Sequence, residues 1–373
     1  MLVILLGACG GGGGSSPEPA PQPAAPPPAP EPPASGCSVE VANGPFEAAW
    51  PGLAWESATP ESQGLCPDAL DSAMDYAFAA DEDTGAVVIV RNGRIVAERY
   101  ADDRGPDDQA TSWSVAKSFT SALVGAALDD GLIDSLDQPM ADFIPAWRDT
   151  DKAAITLRHT MTLRTALEVL DGGEFYDGAD QLQMSLDRAL TGTPGDQTYD
   201  YSNADVMLAG EVVRAATGMS AEAYLETRIG ATISFSGDWW TDSAGHVMTY
   251  CCLDATPRDF ARFGLLFARR GQWNGHAVLS NDWFTTSTEP AYNDEYGFYW
   301  WPGGGVGFVA LGLHGQIIGV YPDADLVATR FSRYTRVGDG RPVREGGNYH
   351  GTNEPASFEV AAFLDQVYAA IEG

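Results

Sequence analysis

Residues 112–128 read SWSVAKSFTSALVGAAL, and they place Lys117, one of only two lysines in the chain, inside a run of apolar and small residues. The run has helical character, so Ser114 and Lys117, three positions apart, lie on one face within side-chain reach. A lysine in such surroundings is desolvated, and desolvation lowers its pKa toward neutrality. A neutral amine beside a hydroxyl is a general base able to make that hydroxyl a nucleophile. The start of a helix also directs backbone N–H groups toward developing negative charge, as an oxyanion hole requires. By itself S-x-x-K is a weak motif, read equally as a surface lysine near an N-terminal serine.

Two further stretches bear on it. Residues 198–213, TYDYSNADVMLAGEVV, carry Tyr201 and Asn203. A tyrosine near a cation can be depressed in pKa and relay a proton, and an asparagine can orient a lysine or a substrate carbonyl. Residues 312–320, GLHGQIIGV, place His314 and Gly315 between two strand-like runs. Each alone reads as ordinary structure: a polar turn before a helix, and a histidine at a strand.

Around these stretches the chain alternates in texture. Residues 67–80 have helical apolar spacing. GAVVIVRNGRIVAERYADD (85–103) is a hairpin about Asn92-Gly93, the preferred two-residue turn. A long mainly helical stretch runs to about residue 230. TPRDFARFGLLFARRG (256–271) is an amphipathic helix with a capping threonine and a terminal glycine. Residues 305–334 supply two or three strands, and 357–373 close the chain as a helix. Strands at both ends with helices between them imply an α+β fold. An antiparallel sheet is flanked by helices and carries an inserted, mainly helical part. The sheet part is expected over about 60–113 and 240–373, and the helical part over about 118–235.

The order and spacing of S-x-x-K, Y-x-N and H-G resemble the serine β-lactamase and penicillin-binding-protein-like superfamily. The likeness is nearest to its class C-like branch of family esterases, D-aminopeptidases and 6-aminohexanoate-dimer hydrolases. Stretches such as DDGLIDSLDQPMADFIP, ITLRHTMTLRTAL and ATPRDFARFGLLFARRGQWNG extend the resemblance over roughly residues 55–370. It implies that Ser114 is the acylated nucleophile, Lys117 its base, Tyr201 the partner base and leaving-group acid, and Asn203 a polar orienter. It puts His314 in the place of the K-T-G lysine, with Gly315 keeping the strand open to substrate. The oxyanion hole would be the N–H groups of Ser114 and of Gln316 or Ile317. Histidine for lysine is a departure. It removes a permanent cation that β-lactamases turn on the substrate carboxylate, so esters or amides without that carboxylate gain. The implied activity is a serine hydrolase working through an acyl-enzyme on a small ester or amide. A β-lactam or D-amino-acid peptide is the alternative substrate, and a non-turnover sensor or binding module the alternative function.

Other chemistries are poorly served. There is no G-x-S-x-G, no Walker loop, and no dinucleotide glycine fingerprint in strand–helix context. His159, His246, His276, His314 and His350 are too scattered to suggest a metal site, and no cofactor is expected. Fifty-two acidic residues against 21 basic ones give a net charge of −31, which disfavours nucleic acid as a partner.

The N-terminus, MLVILLGAC, resembles a bacterial lipobox: residues 1–8 as signal peptide and Cys9 as the lipidated residue. No positive charge precedes its apolar run. The Gly/Pro-rich residues 10–36 suit a tether spanning roughly 80 Å at about 3.1 Å per residue, with the folded domain at 37–373. The expected location is the bacterial cell envelope, outside the cytoplasm, with a lipid anchor at the membrane. In an oxidising compartment disulfides are plausible. The remaining four cysteines allow three pairings. Cys37 with Cys66 is preferred because it would pin the start of the domain. Cys251 and Cys252 read equally as bonded or as two small buried residues.

Overall fold

The computed structural model describes residues 37–79, 83–170, 172–196, 199–292, 296–303, 307–333, 344–345, 348–349 and 358–371. Cys9, the lipobox, the Gly/Pro-rich run and His350 lie outside the described residues. No described helix is long and apolar enough to cross a membrane.

In chain order the elements that build the site are helix α1 (Pro67–Ala77), strands β1 (Thr84–Arg91), β2 (Arg94–Tyr100) and β3 (Ala110–Thr111), and helix α2 (Ala116–Asp129). Helices α3 (Gln181–Asp187) and α4 (Asn203–Thr217), strands β4 (Gly237–Trp239) and β5 (Leu253–Ala255), and helix α5 (Pro257–Ala268) follow. Strands β6 (Trp301–Pro302), β7 (Phe308–Gly312), β8 (Gln316–Tyr321) and β9 (Leu326–Ser332), and helix α6 (Val360–Ala369), complete them.

The main sheet has the order β2-β1-β9-β8-β7-β6 and is antiparallel throughout. Its first two strands come from the beginning of the domain and its last four from the end. The chain therefore leaves the sheet after β2 and returns at β6. Asn92 and Gly93, at φ 52° and 77°, make the two-residue turn the hairpin demands. A small second sheet, β3-β5-β4, ties the segment before the Ser114 turn to residues 237–255.

Side chains alternate across a strand, so each buried strand serves two cores. Val88, Val90, Ile318, Val320 and Phe331 face α5 and α2, where Phe119 stacks on Phe263 at 3.6 Å between ring centroids. Val87, Ile89, Ile317, Leu326 and Ala328 face the other way, onto Leu70 and Met74 of α1 and Phe363 and Val367 of α6. This is an α+β sheet with helices on both faces, as the strand–helix–strand texture predicts. The caps follow the sequence too. The Ser202 hydroxyl accepts the Asp205 N–H at 3.1 Å, and the Thr256 hydroxyl accepts the Asp259 N–H at 3.0 Å.

Both cysteine pairs are disulfides. Cys37–Cys66 joins the first described residue to the N-cap of α1, the pairing preferred from the sequence. Cys251 and Cys252 are bonded to each other, which decides between the two readings left open for them.

Candidate active site

Ser114 sits in a short 3-10 turn, Trp113–Val115, just before α2 rather than in the helix itself. Trp113 has φ 44°, a left-handed conformation that turns the chain sharply between β3 and α2. Lys117 then falls in the first turn of α2, which is buried along nearly its whole length, and is only 1% exposed.

Three oxygens surround the Lys117 Nζ: Ser114 Oγ at 2.9 Å, Asn203 Oδ1 at 2.7 Å and the Tyr250 carbonyl at 2.9 Å. The rings of Tyr201 and Tyr250 lie over it, with centroids at 4.8 and 5.7 Å. Burial alone drives the Lys117 pKa well below the ordinary lysine value. A neutral amine has two N–H groups and one lone pair. Asn203 Oδ1 and the Tyr250 carbonyl can only accept, so they take the two N–H groups and the lone pair is left for the Ser114 O–H. The Ser114 hydroxyl also hydrogen-bonds the Tyr201 hydroxyl. Tyr201 O–H, Ser114 O–H and Lys117 Nζ thus form a continuous proton path.

For Tyr201 the electrostatics run opposite to the expectation from sequence. Burial pushes its pKa up to about 12, not down. Only the hydrogen bond with Ser114 works the other way. Its phenol is therefore a proton donor at neutral pH, suited to the acid half of its expected role and not to the base half. One face remains open: Tyr201 is 37% exposed and stands against Tyr296 and Trp301.

Asn203 is the first residue of α4, and beneath it Asp205 and Arg188 form a buried ion pair at 2.6 Å. Thr165 donates to the same carboxylate. Desolvation raises the Asp205 pKa in spite of the guanidinium. A cavity of about 300 Å³ adjoins this network, lined by Leu163, Thr165, Glu168, Asp200, Ser202 and Asp205 among others.

His314 and Gly315 lie in a tight turn between β7 and β8, with φ of 61° and 71°. The His314 ring meets that of Trp113 at 5.8 Å between centroids, which sets it beside the nucleophile turn. Gly312 permits this closeness: a Cβ there would meet the Ser112 carbonyl at 2.5 Å. Gly315 also meets a steric need within the turn. A Cβ on it would point at the Arg330 guanidinium, 2.9 Å away, on the turn's inner side. The Gln316 side chain is buried, donating to the Leu313 and His314 carbonyls and accepting the Ser332 N–H. The Ile317 side chain belongs to the α1/α6 core. Both side chains are thus taken up within the fold.

Three contributors escape a reading of the sequence. The Tyr250 carbonyl is one, because backbone acceptors leave no motif. Arg330 is another: fully buried, it donates to the His314 carbonyl at 2.6 Å and the Gly315 carbonyl at 3.1 Å, holding the turn from beneath. An arginine amid LVATRFS is a detectable oddity for a buried strand. Gly312 is the third, one glycine among 42.

A family model described as Beta-lactamase matches residues 74–345, and the chain belongs to that family. It is 24% identical over 352 residues to a 6-aminohexanoate-dimer hydrolase of Paenarthrobacter ureafaciens, an alignment covering 84% of this chain and 87% of that protein. Among solved structures it resembles a family VIII carboxylesterase, with TM-score 0.64, 15% identity, and 83% of this chain and 99% of the other covered. A class C β-lactamase from Rhodobacter sphaeroides gives TM-score 0.59 at 18% identity, covering 82% of this chain and all of the other. At these identities the likeness to solved structures is one of fold.

Proposed function

We propose that this protein is a serine hydrolase that acts through an acyl-enzyme on small esters or amides. The observation that carries the reading is Ser114 Oγ hydrogen-bonded to a buried Lys117 amine at 2.9 Å on one side and to the Tyr201 phenol on the other. Ser114 Oγ attacks the substrate carbonyl carbon while its proton passes to Lys117. The oxyanion forms against the backbone N–H groups of Ser114 and of Gln316 or Ile317. As the tetrahedral species collapses, the Tyr201 phenol protonates the leaving oxygen or nitrogen, and the phenolate takes the proton held on the Lys117 ammonium, which lies against its ring. Water then attacks the acyl carbon with Lys117 as its base, and Lys117 returns the proton to Ser114 Oγ as the acyl group leaves. Asn203 keeps the amine turned toward Ser114.

His314 supports substrates lacking a carboxylate at that position, since an imidazole is not the permanent cation that a lysine would be there. Families with hydrolase and carboxylesterase members on this fold are consistent with that choice. We further propose that Cys9 is lipidated and that residues 10–36 tether the domain to a bacterial envelope membrane. The test of the hydrolase is a fluorophosphonate probe with mass mapping, followed by a panel of nitrophenyl esters, anilides and a chromogenic cephalosporin. A single adduct on Ser114, lost in a folded Ser114→Ala variant, with turnover of an ester or amide, is the expected result. An adduct that survives Ser114→Ala refutes the assignment, and labelling without any turnover favours a sensor.

A further inference from the structure

The bond between Cys251 and Cys252 is not a crosslink of the usual kind. A disulfide stabilises chiefly by closing a loop of the unfolded chain, and the gain grows with loop length. Neighbouring cysteines close no loop. What their bond constrains is the backbone around their own peptide, in a ring whose Cα atoms are 3.7 Å apart. Cys252 has φ 67°, a left-handed conformation that a residue with a Cβ holds only when its surroundings impose it. Both cysteines are buried, at 0% and 2% exposure.

The residues on either side of this ring are both tied to the reacting groups. Tyr250, immediately before it, gives its carbonyl to Lys117 at 2.9 Å and lays its ring over the amine. Leu253, immediately after it, exchanges hydrogen bonds with Ser112, two residues ahead of the nucleophile: Ser112 N–H to the Leu253 carbonyl and Leu253 N–H to the Ser112 hydroxyl, each at 2.9 Å. The cysteine carbonyls are themselves held, that of Cys251 by the Trp239 indole at 2.8 Å and that of Cys252 by the Trp240 N–H at 2.9 Å.

We propose that the Cys251–Cys252 disulfide is a positioning element for the catalytic base: it holds the Tyr250 carbonyl and ring against Lys117, so that acylation of Ser114 depends on this bond. The inference rests on the hydrolase reading given above. Without the ring, residues 250–253 relax toward ordinary backbone angles, Tyr250 withdraws, and water reaches the amine. The groups facing Lys117 are Ser114 from the preceding turn, Tyr201 and Asn203 from the start of α4, and Tyr250 from the cysteine segment. Tyr296 and Tyr299 stand behind Tyr201, the Asp205–Arg188 pair lies beyond Asn203, and Asp254 is turned to the Trp240 indole. Tyr250 is thus the cover that the disulfide controls, and its loss hydrates Lys117 and returns it toward the protonated state.

The experiment compares the native protein with Cys251→Ser/Cys252→Ser and with Cys251→Ala/Cys252→Gly, whose glycine adopts positive φ without cost and safeguards folding. Thermal melts establish that each is folded, and the rate of Ser114 phosphonylation is measured from pH 5 to 10. The expected result is an acid limb moved up by about one pH unit or more in the double-serine variant. Its labelling is then at least tenfold slower at a pH below both limbs and recovers toward alkaline pH, with the glycine variant closer to native. A merely structural bond lowers the melting temperature without moving the limb. Native labelling with an unmoved limb in both variants overturns this proposal alone. Absence of Ser114 labelling in the native protein removes the hydrolase reading, and this proposal with it.

Discussion

Replacing Asn203 by aspartate puts a carboxylate where the amide oxygen now accepts from Lys117 at 2.7 Å. Position 203 is the first residue of α4, where an acidic side chain favours the helix, so the fold tolerates it. Two unit charges at that distance attract by about 6 kcal/mol at an effective dielectric near 20. Burying a second charge takes back part of this, and an opposite charge so close typically shifts a pKa by about 1–3 units. The sign is upward for Lys117, because the carboxylate favours the ammonium. The acid limb of kcat/KM therefore moves up by that amount. At a pH below both limbs the rate falls about 10- to 1,000-fold, each unit being a factor of ten in neutral amine. Raising the pH restores much of it. Asn203→Ala, which removes the acceptor without adding charge, should instead lower the rate by a similar factor at all pH values. The assay is ester hydrolysis or phosphonate labelling over pH 5–10 for the three proteins. An acid limb that stays put in Asn203→Asp would refute Lys117 as the titrating base.

Because the Tyr201 pKa stands at about 12, the native pH–rate profile should rise through the Lys117 limb and then stay level, with no alkaline fall below about pH 10 from the phenol; such a fall would indicate a different acid. His314→Lys restores a lasting cation beside the nucleophile. A charge-assisted hydrogen bond of about 1.5–3 kcal/mol should raise cephalosporin turnover relative to ester turnover roughly 10- to 150-fold. Gly312→Ala drives a Cβ into the Ser112 carbonyl at 2.5 Å. It should cost about 1–3 kcal/mol of stability in a denaturant melt and slow labelling of Ser114. Cys9→Ala, expressed in a Gram-negative host, should move the protein from the membrane fraction to the soluble one; unchanged partitioning would count against lipidation.

Much of the fold and of the candidate site could be read from residue order, for local reasons. The Asn92-Gly93 hairpin, the Thr256 cap and the apolar periodicity of 256–271 depend on neighbours within a few positions. So does the spacing that brings Ser114 and Lys117 together. Burial of residues 116–127 could be read from their composition, and with it the direction of the Lys117 pKa. What depended on distant chain was decided by the tertiary structure alone. Asn203 and Tyr250 meet Lys117 across separations of 86 and 133 residues, and no local pattern marks a carbonyl as the second acceptor of an amine. Tyr201 was misjudged for the same reason. Its pKa follows from the desolvation of its hydroxyl between packed segments, a property of the assembled site. The left-handed turn at His314, gripped from below by Arg330, arises where β7, β8 and β9 come together. Sequence alone carries the side-chain chemistry and its local geometry. Dielectric surroundings and backbone partners exist only once remote segments have packed.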